Sequence, residues 1–193
     1  MFRAVLDTCA LVPGRQRDFL LQLATEGAYA PLWGSGILFE LDYVLEEIDA
    51  RRGRSSTSDA RRQHLFAQMT SAFPGATIDA PKGGVYDYSL IDPADGHVAH
   101  AAILGKADAI VTDDRRAGFK TSTKLIAANI EIASAAEFAA NTVAAHPAAG
   151  ARALRSISRR MTKPAMSQLE VLEQLRSRYK MTEVFDLLAP RLS

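Results

Sequence analysis

The sequence predicts an α/β protein in which a mostly parallel sheet is flanked by helices and followed by a helical C-terminal extension. Apolar segments of strand length alternate with segments of helical spacing, and this alternation is typical of parallel sheets. From about Ala148 onward only helical patterns occur. Pro147 and Gly150 mark the junction. We therefore expect a domain at 1–147 and a helical extension at 148–193, packed on that domain or on a partner.

Five segments have the composition of short strands. The first is apolar and ends at Asp7, and the fourth, "AIVT", is apolar throughout, so both are expected to be buried. The predicted strands cover residues 2–6, 28–33, 85–91, 109–112 and 129–134.

Between these strands the apolar residues recur at helical spacing. The predicted helices cover residues 15–26, 35–49 and 58–73, a fourth that starts at Asp92 or Ala94 and runs to about 104, and another after residue 134. Ser35 and Ser58 are placed to cap the second and third of these helices. Gly105 is the expected C-terminal cap of the fourth, and Ser134 with Glu137 forms a capping-box pattern before the last.

Two further regions complete the prediction. Residues 50–57, "ARRGRSST", interrupt the helical pattern and are expected to form an exposed loop. In the extension, residues 167–175 and 183–192 have the pattern of two short amphipathic helices.

Composition excludes several classes of protein. Hydrophobic residues make up 48% of the 193 residues and charged residues 23%, which is typical of a soluble globular protein. No apolar run approaches the roughly 18 to 20 residues that a membrane-spanning helix needs. The N-terminus lacks the features of a signal peptide, so we expect a cytoplasmic protein. Cys9 is the single cysteine, which excludes an internal disulfide and a Cys-rich zinc site.

The charge is divided unevenly along the chain. Residues 1–149 carry 14 Lys and Arg against 18 Asp and Glu, a balance of −4, whereas residues 150–193 carry 9 against 4, a balance of +5. A basic tail on an acidic body fits binding to nucleic acid or to an acidic protein. The alternative is that these Arg and Lys side chains only solvate exposed helix faces.

Carboxylates follow the strands at points that share one sheet edge. Asp7 follows the first strand, and Asp113 and Asp114 follow "AIVT". Asp95 lies in the first turn of the helix after the predicted strand 85–91. Because ligands of an open parallel sheet bind outside the carboxyl ends of its strands, we expect these acids to lie near a ligand.

Glu40 is the fourth candidate of this group. It lies one turn into the helix 35–49, at the border of the apolar face, from which its side chain reaches the same edge. Four converging carboxylates repel one another unless a cation lies between them. Hard oxygen ligands suit Mg²⁺, with Mn²⁺ as the second choice.

Each acid also has an ordinary explanation. Asp7 need only end a strand, Asp95 need only favour a helix N-terminus, and Glu40 need only be an exposed helical residue. Asp113 and Asp114 need only form a solvated turn. The metal cluster is the better hypothesis, because all of these explanations would have to hold together to remove it.

Other reaction types are less consistent with the sequence. It has no Gly-rich phosphate loop and no Ser or Cys nucleophile signature. A phosphatase of the haloacid-dehalogenase type would need Asp-x-Asp after the first strand, and here Cys9 follows Asp7 by two positions. His97 and His100 are expected to pack or to meet solvent rather than to bind a metal.

Four motifs in order resemble the PIN-domain nucleases, and the nearest likeness is to the VapC-type toxins of toxin–antitoxin pairs. The motifs are "VLDTCAL", "ILFELDYVL", "DPADGHVAHAAI" and "ADAIVTDD", and the resemblance covers about residues 2–140. It implies a three-layer α/β/α PIN-like fold. It also implies metal-dependent hydrolysis of RNA phosphodiester bonds.

The resemblance assigns roles position by position. It implies that the catalytic acids are Asp7, Glu40, Asp95 and Asp114. Of these, Asp7, Asp95 and Asp114 are the expected metal ligands. Asp92 and Asp113 become auxiliary carboxylates, and whether Asp113 or Asp114 binds the metal directly stays open. Thr112 and Thr8 match auxiliary hydroxyl positions of the family.

The same resemblance implies partners. They are an RNA substrate, a VapB-type antitoxin and a second copy of the chain in a homodimer. The expected RNA-binding residues are Arg115, Arg116 and Lys120, with Lys124 beside them. A second basic cluster comprises Arg51, Arg52, Arg54, Arg61 and Arg62. The alternative for both groups of basic residues is that they are only solvated surface charge. The alternative function is a non-catalytic PIN-like module that binds RNA or serves as a scaffold.

Overall fold

A five-stranded, all-parallel sheet forms the centre of the molecule, in the order β3-β2-β1-β4-β5. The computed structural model describes residues 1–53 and 55–192. The strands are Arg3–Leu6 (β1), Ala30–Gly34 (β2), Thr77–Ile78 (β3), Ala109–Val111 (β4) and Glu131–Ala133 (β5).

Helices cover the sheet and form the C-terminal part of the chain. Those within the sheet region are Thr8–Leu11 (α1), Gly14–Thr25 (α2), Ser35–Arg51 (α3), Ser55–Ala72 (α4), Gly96–Leu104 (α5), Thr123–Ala127 (α6) and Ala135–Ala145 (α7). The later helices are Pro147–Arg160 (α8), Gln168–Tyr179 (α9) and Thr182–Leu188 (α10). Short 3-10 turns occur at Pro93–Asp95, Phe119–Thr121 and Ala189–Arg191. The predicted α/β class with a helical C-terminal part is confirmed.

The central strand β1 fixes the position of the site. Val5 is in register with Leu32 of β2 on one side and with Ile110 of β4 on the other. Val5 and Ile110 are fully buried, as expected for a parallel strand covered on both faces. The residue that follows β1 therefore emerges at the middle of the carboxyl edge of the sheet.

The predicted strand at 85–91 is wrong. The third strand is the two-residue β3, which pairs with β2 through Thr77 and Ile78. In the segment 85–91, Ser89 has a φ of 54°, which is incompatible with a continuous strand. Tyr86 instead stacks on His100 of α5 at 4.6 Å between ring centroids. Tyr88 and Leu90 pack against the core from outside the sheet, whereas Val85 and Ile91 are exposed.

Two predicted helix caps are also wrong. Gly34 is the N-cap of α3, and the Ser35 hydroxyl accepts a 3.0 Å hydrogen bond from the Ala80 backbone N–H instead. Ser58 lies inside α4, because that helix begins at Ser55. The Ser58 hydroxyl donates to Asp49 at 3.1 Å and so joins α4 to α3.

The remaining cap predictions agree with the structure. Gly105 is the C-cap of α5, and Ser134 with Glu137 forms a complete capping box at the start of α7. The predicted loop 50–57 is shorter than expected, because α3 continues to Arg51 and α4 begins at Ser55.

The C-terminal helices pack on α2 and α7. Leu154, Leu175 and Leu188 are fully buried there and belong to the same apolar core as the residues of the sheet. Gly150 lies inside α8 and not at a junction between two parts of the chain. A Cβ at this position would stand 3.1 Å from Leu188. The division into 1–147 and 148–193 stays a prediction. Within the described part of the chain, no helix has both the length and the apolar character that crossing a bilayer requires.

Candidate active site

A cavity of about 820 Å³ opens at the carboxyl edge of the sheet. One part of its wall is polar and is formed by Asp7, Thr8, Cys9, Glu40, Lys82, Asp95 and Asp114. The other part is formed by Val12, Pro13, Phe39, Tyr43 and Val44. The cavity thus combines a charged wall with an apolar wall on which two aromatic side chains are exposed, Phe39 by 68% and Tyr43 by 57%.

Asp7 is held rigidly at the junction of β1 and α1. It is the N-cap of α1, and its Oδ1 accepts a 2.7 Å hydrogen bond from the Thr8 backbone N–H. Its Oδ2 accepts a 2.7 Å hydrogen bond from the Thr112 hydroxyl, at the end of the neighbouring strand β4. The side chain is buried with both oxygens engaged, so its orientation is fixed.

Asp114 is tied to the same hydroxyl. Its backbone N–H donates to Thr112 Oγ1 at 3.1 Å, and its Oδ1 accepts a 2.7 Å hydrogen bond from the Arg116 backbone N–H. The Arg116 guanidinium is 3.8 Å away and 94% exposed, so solvent screens this ion pair almost completely.

Cys9 also lines the cavity and contacts Asp7, a contact that no sequence pattern predicts. Its thiol donates to Asp7 Oδ2 at 3.3 Å, and its sulfur accepts from the Asp113 backbone N–H at 3.2 Å. Burial, followed by the charge of Asp7, raises the pKa of Cys9 to about 12. The thiol therefore stays protonated at neutral pH and keeps its role as a donor.

Asp95 completes the group of aspartates. It ends the 3-10 turn that precedes α5. Its pKa is raised, first by burial and then by the negative charges of Asp7 and Asp92, with a smaller contribution from Asp114. Lys82 acts in the opposite direction and lowers it. The carboxylates of this wall are thus close enough to repel one another.

Glu40 differs from the aspartates in its neighbours. Its Oε2 accepts a 2.9 Å hydrogen bond from the Thr8 hydroxyl and lies 3.3 Å from His97 Nε2. Its Oε1 accepts a hydrogen bond from the Lys82 ammonium. His97 is fully buried, and its Nδ1 lies 3.0 Å from the Ala94 carbonyl oxygen. Burial lowers the pKa of His97, so the ring is neutral at pH 7.

A family model described as a PIN domain matches residues 3–116, more than half of the chain. This chain belongs to the PIN-domain family. PIN domains have a nuclease-type fold, and the family consists generally of hydrolytic nucleases. No curated protein and no solved structure gave a match to the chain. The expected family is confirmed, and the VapC-type subfamily stays a prediction.

The PIN domain brings the four predicted catalytic acids to one cavity. Asp92 and Asp113 are directed elsewhere: Asp92 accepts from the Ala94 N–H at 2.9 Å within its own turn, and Asp113 accepts from the Ala135 N–H at 3.4 Å. Lys82 also lines the cavity, and sequence analysis missed it, because no local pattern around it distinguishes it from a surface lysine.

The predicted basic residues have different surroundings. Arg115, Arg116 and Lys120 are exposed beyond the last aspartate of the PIN domain. In the second cluster, Arg62 is buried and pairs with Asp42 at 2.7 Å, so it joins α3 to α4 and is not available to RNA. Arg54 lies outside the described residues.

The fit of the site to a divalent cation rests on its chemistry. Within residues 1–53 and 55–192, no three His, Cys, Asp or Glu side chains stand close enough together to hold a metal ion as they are. However, Asp7, Asp95 and Asp114 present hard oxygen donors to one cavity, and their mutual repulsion favours a cation among them. The donor set therefore fits Mg²⁺ or Mn²⁺.

Proposed function

We propose that this protein is a metal-dependent endoribonuclease that hydrolyses RNA phosphodiester bonds, with Mg²⁺ as its cofactor and Mn²⁺ as a substitute. One observation carries the proposal. Asp7, Asp95 and Asp114 line a single cavity at the carboxyl edge of the sheet, where burial and then the negative charges of Asp7 and Asp92 raise the pKa of Asp95. A divalent cation bound among these carboxylates would remove the repulsion between them.

The residues of the chain divide the work as follows. Asp7, Asp95 and Asp114 would hold the ion. When bound, the ion supplies a water of lowered pKa and stabilises charge on the phosphate. Thr112 and Thr8 keep Asp7 in one orientation through hydrogen bonds of 2.7 Å each. Glu40 completes the acidic wall through its contacts with Thr8 and Lys82.

The apolar wall supports RNA as the substrate. Phe39 and Tyr43 project one turn apart from α3 and are largely exposed beside the acids. Exposed aromatic rings stack on unpaired bases, whereas the bases of a duplex are already stacked on each other. We therefore propose single-stranded or looped RNA. Arg115, Arg116 and Lys120 would contact its phosphates outside the cavity.

We further propose that the protein acts in the cytoplasm as the toxin of a VapBC-type pair and forms a homodimer. The support is the ordered set of motifs that resembles VapC-type toxins, together with the exposed apolar residues of α3, which an antitoxin segment would cover. Expression of the chain alone is expected to arrest growth, and D95N is expected to remove the arrest. Sedimentation is expected to give the mass of two chains.

The extension has a structural role in this proposal. We propose that residues 148–193 stabilise the nuclease domain 1–147 through α8 and α10, which pack on α2 and α7. In this proposal, residues 1–147 carry the catalytic site and residues 148–193 only stabilise it.

The decisive experiment is cleavage of total cellular RNA by purified protein with Mg²⁺, Mn²⁺ or a chelator. Wild type is expected to give discrete fragments that D7N, D95N and chelator each abolish. D186N, on the exposed face of α10, is the control and is expected to cleave normally. If wild type with a folded spectrum neither cleaves RNA nor binds Mn²⁺, the proposal fails and the non-catalytic RNA-binding module takes its place.

A further inference from the structure

Glu40 is neutralised inside the cavity by a lysine that belongs to a different element. Lys82 lies after β3, and its ammonium donates to Glu40 Oε1. The other oxygen accepts from Thr8 at the start of α1 and faces His97 of α5 at 3.3 Å. Asp7 accepts hydrogen bonds only from neutral donors, whereas the charge of Glu40 is already paired with an ammonium. Glu40 is therefore less able than Asp7 to serve as a metal ligand.

Lys82 is held in place by packing of its own backbone. Gly36 N–H donates to the Ala80 carbonyl at 2.9 Å, and the Ala80 N–H donates to Ser35 Oγ at 3.0 Å. A Cβ on Gly36 would stand 2.7 Å from Lys82 N and 2.7 Å from the His97 ring. The first turn of α3 thus lets both neighbours approach closely, and the position of Lys82 is built into the fold.

The charge of Lys82 acts where the substrate phosphate has to enter. Four carboxylates and one ammonium line the cavity, and this excess of negative charge repels a phosphodiester. The Lys82 side chain is 35% exposed, so its ammonium is accessible to a ligand in the cavity. An ammonium cannot bind a metal cation, but it pairs well with a phosphate oxygen.

We propose that Lys82 binds a non-bridging oxygen of the RNA phosphate that lies beside Asp95, and that Glu40 is the positioning residue of Lys82 rather than a metal ligand. This inference rests on the proposed nuclease function and adds to it a phosphate-binding residue. The site then consists of an aspartate group that attracts a cation and a Glu40–Lys82 pair that attracts the phosphate.

The first test measures RNA affinity in the presence of chelator, where no cleavage takes place. A short single-stranded RNA is titrated against wild type, K82M, K82R and K106M at several salt concentrations. Lys106 is exposed between α5 and β4, at the opposite edge of the sheet, and its substitution removes the same charge. We expect K82M to weaken binding and to reduce the salt slope by about 0.7, the value for one phosphate contact with a single strand. K82R and K106M are expected to keep the wild-type slope.

The second test measures Mn²⁺ affinity by calorimetry without RNA. K82M is expected to bind Mn²⁺ as tightly as wild type or more tightly, because a positive charge has been removed. E40Q is expected to stay within about threefold of wild type, whereas D95N is expected to lose tenfold or more, about 1.4 kcal/mol. Circular dichroism of each variant confirms that it is folded.

Two outcomes would overturn the inference. One is a K82M variant with wild-type RNA affinity and salt slope. The other is an E40Q variant that loses Mn²⁺ binding as D95N does, since Glu40 would then be a metal ligand. If wild type neither cleaves RNA nor binds Mn²⁺, the nuclease proposal fails, and the RNA titration still decides whether Lys82 binds phosphate.

Discussion

The Thr112 hydroxyl donates a 2.7 Å hydrogen bond to Asp7 Oδ2 and so joins the ends of two neighbouring parallel strands. Thr112 Oγ1 in turn accepts a 3.1 Å hydrogen bond from the Asp114 N–H. Thr112 is 5% exposed and Asp7 is 7% exposed, so water does not substitute for this contact. One hydroxyl thereby sets the relative positions of two of the three proposed metal ligands.

Replacing Thr112 by Val keeps the shape of the side chain and removes the hydroxyl. Because a hydrogen bond to a charged group contributes about 1.5–3 kcal/mol, we expect T112V to lower the free energy of unfolding by roughly that amount. RNA cleavage is expected to fall by about tenfold or more, which corresponds to about 1.4 kcal/mol in the barrier. T112S is expected to retain both properties. Urea unfolding and initial cleavage rates measure them, and normal cleavage by T112V would contradict the role of this bond.

Metal binding is expected to stabilise the fold through the aspartates. A ligand at one hundred times its Kd adds about 2.7 kcal/mol of stability, so saturating Mg²⁺ should raise the Tm of wild type measurably. D7N and D95N are expected to show little or no such rise, and D186N to behave as wild type. An equal rise in wild type and D95N would place the ion elsewhere.

Asp95 is expected to destabilise the metal-free protein at neutral pH. Its pKa is raised in the folded state, so ionisation costs more there than in the unfolded chain. Stability from this group is therefore present at low pH and is lost as the pH rises through its folded pKa. In chelator at pH 7, D95N should melt at a higher temperature than wild type, and a lower Tm would show that Asp95 stabilises the fold.

His97 is expected to make the protein sensitive to mild acid. Burial lowers its pKa from the usual 6.5, so its contribution to stability is complete above pH 6.5 and is lost as the pH falls through the folded pKa. The slope is at most about 1.4 kcal/mol per pH unit for one proton. H97Q is expected to be less stable overall and to lose this slope, whereas H64Q, on the exposed face of α4, is expected to keep it. Urea unfolding between pH 5 and 8 measures the difference.

Arg62 is expected to act in stability and not in RNA binding. It pairs with Asp42 at 2.7 Å and with Asp59 at 2.6 Å, and these carboxylates are 49% and 77% exposed. Loss of one partner of a buried pair costs about 3–5 kcal/mol, and solvent screening of both carboxylates reduces this to roughly 1–3 kcal/mol for R62M. Arg61, 56% exposed, provides the control R61M, which is expected to unfold like wild type. A loss of RNA affinity in R62M without a loss of stability would reverse this assignment.

The C-terminal helices are expected to unfold together with the sheet. Leu188 of α10 is fully buried in the common core, and truncation of such a residue to Ala costs about 2–5 kcal/mol. L188A is therefore expected to shift the whole denaturation curve as one transition. The exposed neighbour Leu187 gives the control L187A, which is expected to stay near wild type. Two separate transitions in L188A would indicate that the extension folds by itself.

The sequence predicts the centre of the molecule well because its signals are local there. Strand β1 is followed directly by Asp7, and β4 is followed by Thr112 and then by two aspartates. Both strands are short, mostly apolar runs, as expected for buried parallel strands. The positions of Asp7 and Asp114 follow directly from the ends of these strands. The resemblance to the PIN family covers the same segments, and the family model confirms it.

The rest depends on contacts that no local pattern encodes. Strand β3 has only two residues, Thr77 and Ile78, and is held by its pairing to β2 rather than by its own composition. The segment 85–91 has the residues of a strand, but its tyrosines pack on His100. Lys82 reaches Glu40 across 42 positions only because the strand order places β3 beside β2.

The two sides of the cavity differ in how readily their sequences can change during evolution. One side follows strands β1 and β4, and the other belongs to the irregular segment 79–92. Asp7 and Asp114 emerge from strands buried in the core, so substitutions nearby disturb the whole fold. The residues that follow Lys82 form a surface segment in which Val85 is entirely exposed and Ile91 is largely exposed. Under the proposed nuclease function, exchanges in that segment would alter how RNA is bound while the acids of the cavity stay unchanged.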